Sequence, residues 1–222
     1  MVKLLSVNVS QPKDVAYNGK MVRTGIFKEP VKGRVWLRKL GLDGDGHGDL
    51  SVHGGIDKAV YAYPVEHYEY WARELGRNEL PFGQFGENLT VEGLLEEKVH
   101  VGDVFQVAGA RVQVTQPRVP CFKLGLKMGC STFPKHFLTS ERSGFYLRVI
   151  AEGDIGAGDF IERIRIDPAR LSIKEVHHLY YFDNLNRQGI EKVLDVPALS
   201  DSWRESFEGF LEKCDSVGDE RH

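Results

Sequence analysis

Up to about residue 167 the chain is punctuated every few residues by glycine, proline or asparagine; beyond Pro168 the punctuation gives way to helical periodicity. This break constrains the fold more than any other feature. Short runs between turn formers can pair as strands but are too short to stand as helices. Strand-like segments, mixing β-branched and polar positions, are expected at 3–9, 21–27, 34–40, 59–63, 98–107, 110–116, 144–151 and 159–166. Ala108 and Gly109 make the turn between two of them. Pro64, followed by His67, Tyr68, Tyr70, Trp71 and Leu75, predicts a helix over 65–75, and 131–141 reads as a second short helix. Residues 43–49 and 82–92 read as glycine-containing loops. Many short strands with few helices predict a mainly β fold, a barrel or sandwich.

The tail has a different grammar. Ser172 followed by Glu175 is a capping-box pattern, and the helix it opens carries Ile173, Val176, Leu179 and Tyr180 on one stripe. A second helix is expected over 184–194, stopped by Pro197. A third runs from near Ser200 to about 213, with Trp203, Phe207, Phe210 and Leu211 on one face. Three short helices bury too little alone, so they should pack together and against the β body. The expected organisation is a β domain over 1–167 and a C-terminal three-helix extension over 168–222.

Composition narrows the function classes. No apolar run approaches the roughly 20 residues that span a bilayer, and the net charge of −3 with a pI near 6.3 gives no reason to expect a nucleic-acid polymer as partner. The first residues alternate like a strand and lack a cleavage signature, so they do not read as a signal peptide. Three cysteines (Cys121, Cys130, Cys214) make no disulfide framework, which points to a reducing cytoplasm. Charge is uneven, however. Residues 111–150 hold Arg111, Arg118, Lys123, Lys127, Lys135, Arg142 and Arg148 against Glu141 alone. A basic stretch in an acidic chain suits a small anionic ligand, although a solvated basic face gives the same pattern.

Three local patterns can carry chemistry. In 117–124, Pro-Arg-Val-Pro-Cys-Phe-Lys-Leu, two prolines stiffen a loop that holds Cys121 between Arg118 and Lys123. Neighbouring cations favour a thiolate, the form that ligates soft metals; a lone buried cysteine is the plainer alternative. In 52–60, the pair Gly54-Gly55 lies among His53, Asp57 and Lys58, so backbone N–H groups and Lys58 can meet an anion. In 85–90, Glu87 and Asn88 follow a glycine and can read the N–H and C=O edge of a heterocycle, or simply form a turn. A calcium loop at 43–54 fails, because its twelfth position is Gly54. Zinc spacing, a P-loop, a dinucleotide fingerprint and a serine nucleophile elbow are all missing from the sequence.

Taken in order, the HGGxDKA loop at 53–59, the FGENL segment at 85–89 and the PRxPCxKL loop at 117–124 resemble the MOSC family, and within it the YiiM-like branch. Gly102-Asp103 and the helical tail over 172–213 fit the same branch. The chain departs from the usual pattern at His47-Gly48, where Gln-Ala is common, and at Ile56, where proline is common. The resemblance implies a MOSC-type β-barrel with a few peripheral helices and the three-helix tail. It implies a molybdenum cofactor (molybdopterin) with Cys121 as the metal's protein ligand and catalytic residue. Arg118, Lys123, Lys58 and His53 are then candidates for the phosphate, the backbone of Gly54 and Gly55 for nearby oxygens, and Asp57, Glu87 and Asn88 for the pterin edge or proton delivery. The implied reaction is two-electron reduction of small N-hydroxylated compounds, such as hydroxylaminopurines, to amines. An external flavin- or haem-type donor would supply the electrons, since the chain carries no such motif of its own. Two other readings stay open: a cofactor or sulfur carrier without organic turnover, and a plain reactive cysteine with His53 or His136 as base. The oligomeric state is left open.

Overall fold

Residues 1–46 and 54–219 are described in a computed structural model. The elements run β1 (Lys3–Val9), β2 (Lys13–Tyr17), β3 (Lys20–Thr24), β4 (Glu29–Pro30), β5 (Arg34–Arg38), β6 (Gly41–Leu42), β7 (Val60–Pro64), α1 (Tyr68–Glu74), β8 (Leu89–Glu92), β9 (Val104–Val107) and β10 (Ala110–Pro117). They continue with α2 (Phe122–Met128), α3 (Phe133–Thr139), β11 (Phe145–Ala151), β12 (Gly153–Gly156), β13 (Ile161–Arg165), α4 (Ile173–Tyr181), α5 (Arg187–Leu194) and α6 (Asp201–Asp219).

The fold is sheet-dominated. Eight strands pair in the order β13-β9-β10-β11-β7-β8-β1-β4, with a three-stranded side sheet β12-β5-β6 and the hairpin β2-β3. Pairing in the large sheet is antiparallel except between β7 and β8. Among the described residues the ladder is open, ending at β13 and β4, so strand pairing does not by itself make the expected barrel. Its ends nevertheless approach: Leu4 N donates to Asp159 O (2.9 Å), Gly158 N to Leu4 O (2.8 Å) and Ile161 N to Val2 O (3.0 Å). In the side sheet, Val35 and Leu37 face inward while Arg34, Trp36 and Arg38 face water, the alternation of a half-solvated strand.

Two hydrophobic clusters support this frame. The larger fills the sheet with Leu4, Val60, Val112, Phe145 and Ile155, and continues without a break into Ile173, Val176, Ile190, Val193, Trp203 and Phe207 of the tail. The smaller is aromatic and binds α1, α2 and α3 together through Tyr63, Trp71, Phe85, Phe133 and Phe137. Trp71 Nε1 donates to Tyr63 Oη at 2.7 Å, so its buried polar atom is satisfied. The tail joins the sheet by main-chain bonds as well: Val101 N donates to Leu171 O and Ile173 N to Val99 O. Its capping box is realised, with Glu175 N on Ser172 Oγ (3.1 Å) and Ser172 N on Glu175 Oε2 (2.8 Å).

Several boundaries differ from the sequence reading. The strand expected over 21–27 is one arm of a hairpin whose other arm is 13–17; Asn18 and Gly19, both at positive φ, form the turn. The strand expected over 98–107 starts only at Val104, because 100–103 turns on Gly102 (φ +93). The loop expected over 82–92 ends in β8, whose parallel partner lies 27 residues upstream at Ala62. The stiff loop over 117–124 stops at Cys121, where α2 begins.

Candidate functional site

The site lies where the 54–59 turn, the 83–90 loop, the ends of β7 and β11, and the 117–121 loop converge. Gly54 and Gly55 sit at φ +99 and +90, a region open to glycine and strained for other residues, and a short 3-10 turn over 56–58 delivers Lys58. Asp57 points away from the opening. Its carboxylate accepts from Arg148 Nε at 2.9 Å, and its carbonyl accepts from Thr115 Oγ1 at 2.7 Å. It fastens the turn to β10 and β11.

Glu87 also turns inward and is fully buried. Its carboxylate accepts from Gly83 N (2.8 Å), Phe85 N (2.9 Å), Thr90 Oγ1 (3.0 Å) and Tyr68 Oη. Burial raises its pKa, and the Tyr68 and backbone bonds offset part of that rise. These bonds shape the loop that presents Asn88. Asn88 Nδ2 donates to Asp45 Oδ2 (2.8 Å), its Oδ1 accepts from Tyr61 N (3.2 Å), and it lines the opening. Asp45 meanwhile holds Lys28 in a buried ion pair, Nζ to Oδ2 2.6 Å. Burial lowers the Lys28 pKa against the pull of Asp45.

The 117–121 loop leaves β10 with Arg118 N bonded to Gly144 O (3.2 Å). Gly144 N in turn donates to Glu96 Oε1 (2.7 Å), and Glu96 Oε2 lies 2.7 Å from His67 Nε2. The Arg118 guanidinium is buried, 5.2 Å from the ring centres of both Tyr61 and Phe137. Burial opposes its charge, but Tyr61, Tyr146 and Cys121 around it more than compensate, and its pKa is raised. Its Nη1 has no hydrogen-bond partner among the described residues. Cys121 follows in extended conformation, half-buried, and caps α2; Leu124 and Met128 then anchor that helix in the aromatic cluster. None of the three cysteines forms a disulfide.

These parts line one opening, with about 80 Å³ of room inside it. Of the residues picked from sequence, Gly54, Lys58, Asn88, Arg118, Cys121 and Lys123 line it; Gly55, Asp57 and Glu87 do not. His53 falls outside the described residues. His136 is exposed on α3, away from the lining. Sequence reading missed Lys28, Tyr61 and Tyr146, which also line it. Tyr61 and Tyr146 are register partners on β7 and β11, so only the strand pairing reveals them. Lys28 carries no local signal, since its partner Asp45 is 17 residues away.

The chemistry of the lining is clear. It holds Lys58, Arg118 and Lys123, together with Lys28 already paired to Asp45, and no carboxylate is among its described lining residues. It also holds one sulfur donor, Cys121. Among the described residues no group of three or more His, Cys, Asp or Glu side chains could hold a metal ion by itself. Among the described residues, Cys121 is the protein donor a metal would find in this lining. A metal carried by an anionic organic group fits that donor set: the thiol supplies one soft ligand and the cations face the anion.

The MOSC domain model matches residues 49–162, which contain the Gly-Gly turn, the Asn88 loop and the Cys121 loop. The chain belongs to the MOSC-domain family. The YiiM-like 3-alpha helix domain model matches 171–213, the α4–α6 tail, which places the chain in the YiiM-like branch. It is similar to the uncharacterized protein YflK of Bacillus subtilis (strain 168), 44% identical over 204 residues covering 92% of each chain. The solved structure of YiiM from Geobacillus stearothermophilus superposes with a TM-score of 0.81 at 37% identity, over 95% of this chain and all of that one. A protein named Reductase from Gibberella moniliformis (strain M3125 / FGSC 7600) is 28% identical over 197 residues, 87% of this chain and 35% of that protein. No helix among the described residues is long and apolar enough to cross a membrane.

Proposed function

We propose that this protein binds a molybdenum cofactor through Cys121 and reduces small N-hydroxylated compounds to amines, with electrons from an external flavin- or haem-type donor. One observation carries the reading: the only thiol in the lining, Cys121, shares its opening with Lys58, Arg118, Lys123 and Lys28. Family membership and the reductase-named relative support it. Bound there, the cofactor supplies a two-electron redox centre. The bonds from β1 to 158–161 support the corollary that the sheet is a MOSC-type barrel. A reduced thiol suits the cytoplasm.

The residues divide the work. Cys121 ligates the metal; Arg118, Lys123 and Lys58 face the cofactor's phosphate and oxygens, and Asn88 faces the pterin edge. Asp57 and Glu87 act one layer back, holding the turn and the loop that present Lys58 and Asn88. The N–O bond of the substrate breaks as two electrons and two protons enter, giving amine and water. Burial raises the Tyr146 pKa, so its phenol holds a proton at the opening. Tyr61, raised in the same way, spends its proton on Ser143 O at 2.8 Å.

The test is molybdenum content per chain after expression in a cofactor-competent host, for the parent and for Cys121→Ala. Near-stoichiometric metal in the parent and its loss in the variant is the expected result. Loaded parent should then reduce a hydroxylaminopurine in the presence of a chemical reductant. Metal without turnover of any N-hydroxy compound would leave a carrier, and no metal after reconstitution would end the cofactor reading.

A further inference from the structure

Four buried polar atoms have no hydrogen-bond partner among the described residues: Gln116 Oε1, Arg118 Nη1, His177 Nδ1 and Tyr181 Oη. Such atoms are rare in folded proteins, and each needs a physical account. The elements that carry them adjoin. Gln116 lies at the end of β10 and Arg118 just beyond it, where Arg118 N still bonds to Gly144 O. His177 and Tyr181 are four apart on α4, with ring centres 4.8 Å apart. α4 packs on β10. The end of α3 closes the gap: Phe137 lies under the Arg118 guanidinium, and the next residue, Leu138, takes His177 Nε2 on its carbonyl at 3.1 Å. The Arg118 charge reaches Tyr181, whose pKa is raised first by burial, then by Tyr180, and drawn back by Arg118.

The bonding capacities are complementary. Because Leu138 O can only accept, His177 Nε2 carries the hydrogen and Nδ1 is an acceptor. Burial keeps this imidazole neutral. Gln116 Oε1 is a second acceptor, since its Nε2 donates to Pro117 O at 3.3 Å. Arg118 Nη1 and the Tyr181 hydroxyl are donors. Two donors and two acceptors make the set that a buried water satisfies.

We propose that the junction of β10, α3 and α4 is an internal water site, through which His177 and Tyr181 of the helical tail position Arg118 at the opening. The tail is thereby part of the anion site. The water ties one edge of the guanidinium, leaving the rest of the fork to meet the ligand. This rests on the reading of Arg118 as an anion-holding residue, and its test separates the two.

The first experiment is a high-resolution crystal structure of the full chain and of Tyr181→Phe, which removes a single oxygen and keeps the ring. The parent is expected to show ordered water bonded to Arg118 Nη1 and to Tyr181 Oη or His177 Nδ1, displaced or lost in the variant. A dry junction, with the four atoms bonded directly to one another, would overturn the water site. The second experiment is calorimetric titration of both full-length proteins with inorganic phosphate. Tyr181→Phe should weaken phosphate binding by about 2- to 10-fold, the worth of one hydrogen bond, while the protein still melts in one cooperative transition. Equal affinities in the two proteins would overturn the positioning role. A parent that binds no phosphate would remove Arg118 as an anion holder, and the positioning role with it, while the crystal result still decides the water. Neither readout depends on turnover, so inactive protein leaves both tests intact.

Discussion

At the scale of single residues, the opening is shaped by side chains outside its lining. Glu87 looks from sequence like a group that reads a heterocycle, yet its carboxylate is consumed by two backbone N–H groups and two hydroxyls. Asp57 looks like a proton carrier and is held by Arg148. Both lie within two residues of a glycine, and sequence cannot tell which way a side chain in such a loop points. Lys127 has a measurable consequence. Burial pushes its pKa down to about 8 from 10.5, while its Nζ donates to Ile26 O at 3.0 Å and to Gly83 O. The unfolded chain binds that proton up to the ordinary lysine value, so unfolding takes up a proton in this window. Stability should therefore rise with pH between about 8 and 10.5 through this group, and below about 8, where both states hold the proton, the group adds no further pH dependence. Urea denaturation at about pH 7.5 and about pH 9.5 should show a smaller gain in Lys127→Met than in the parent.

Among the elements, what was legible and what was not follow one rule. Segments whose signal is local came through. The alternation in β1, the Ala108-Gly109 turn, the Ser172–Glu175 box and the stripe of Ile173, Val176 and Leu179 all stand as read. α2 did not come through. It carries Gly125 in its middle and follows two prolines, and its helicity comes from burying Leu124 and Met128 in the aromatic cluster. β8 was hidden because its parallel pairing with β7 is non-local. The candidate site was half legible for the same reason: the Cys121 loop is contiguous, whereas Tyr61 and Tyr146 meet only across strands. The junction of β7 and β11 also sets a sharp steric condition. Gly144 sits at φ +63, and a Cβ there would lie 2.5 Å from Ala62 O and 2.8 Å from the Tyr61 and Tyr63 rings. Gly144→Ala should lower stability by about 1–3 kcal/mol, read from the urea midpoint, because backbone and stiff aromatic rings have nowhere to retreat.

Across the whole molecule, the β body and the tail share one hydrophobic core rather than owning two. Leu171, Ile173 and Val176 cluster with Val99, Val101 and Val112, and the main chain bonds across the joint in both directions. Asp103 reinforces it: fully buried, it accepts from Asp167 N at 2.9 Å and faces Arg163 at 3.3 Å. The composition break at Pro168 is real as a change of secondary structure, yet the core runs straight through it. A chain ended after Asp167 is expected to lose its cooperative thermal transition and to bind hydrophobic dye, since the valines of 99–112 would face water. A sharp transition in the truncated chain would show that the sheet carries its own core.

Gly144 has one more consequence. Its N–H is held by Glu96, which with His67 lines a second groove, and its carbonyl holds the backbone of Arg118. One residue is thus a fulcrum between two openings, with the acid–imidazole pair on one arm and the cysteine loop on the other. A survey of variants confined to residues in sight of Cys121 would pass over Glu96, though it is two hydrogen bonds from that loop through Gly144.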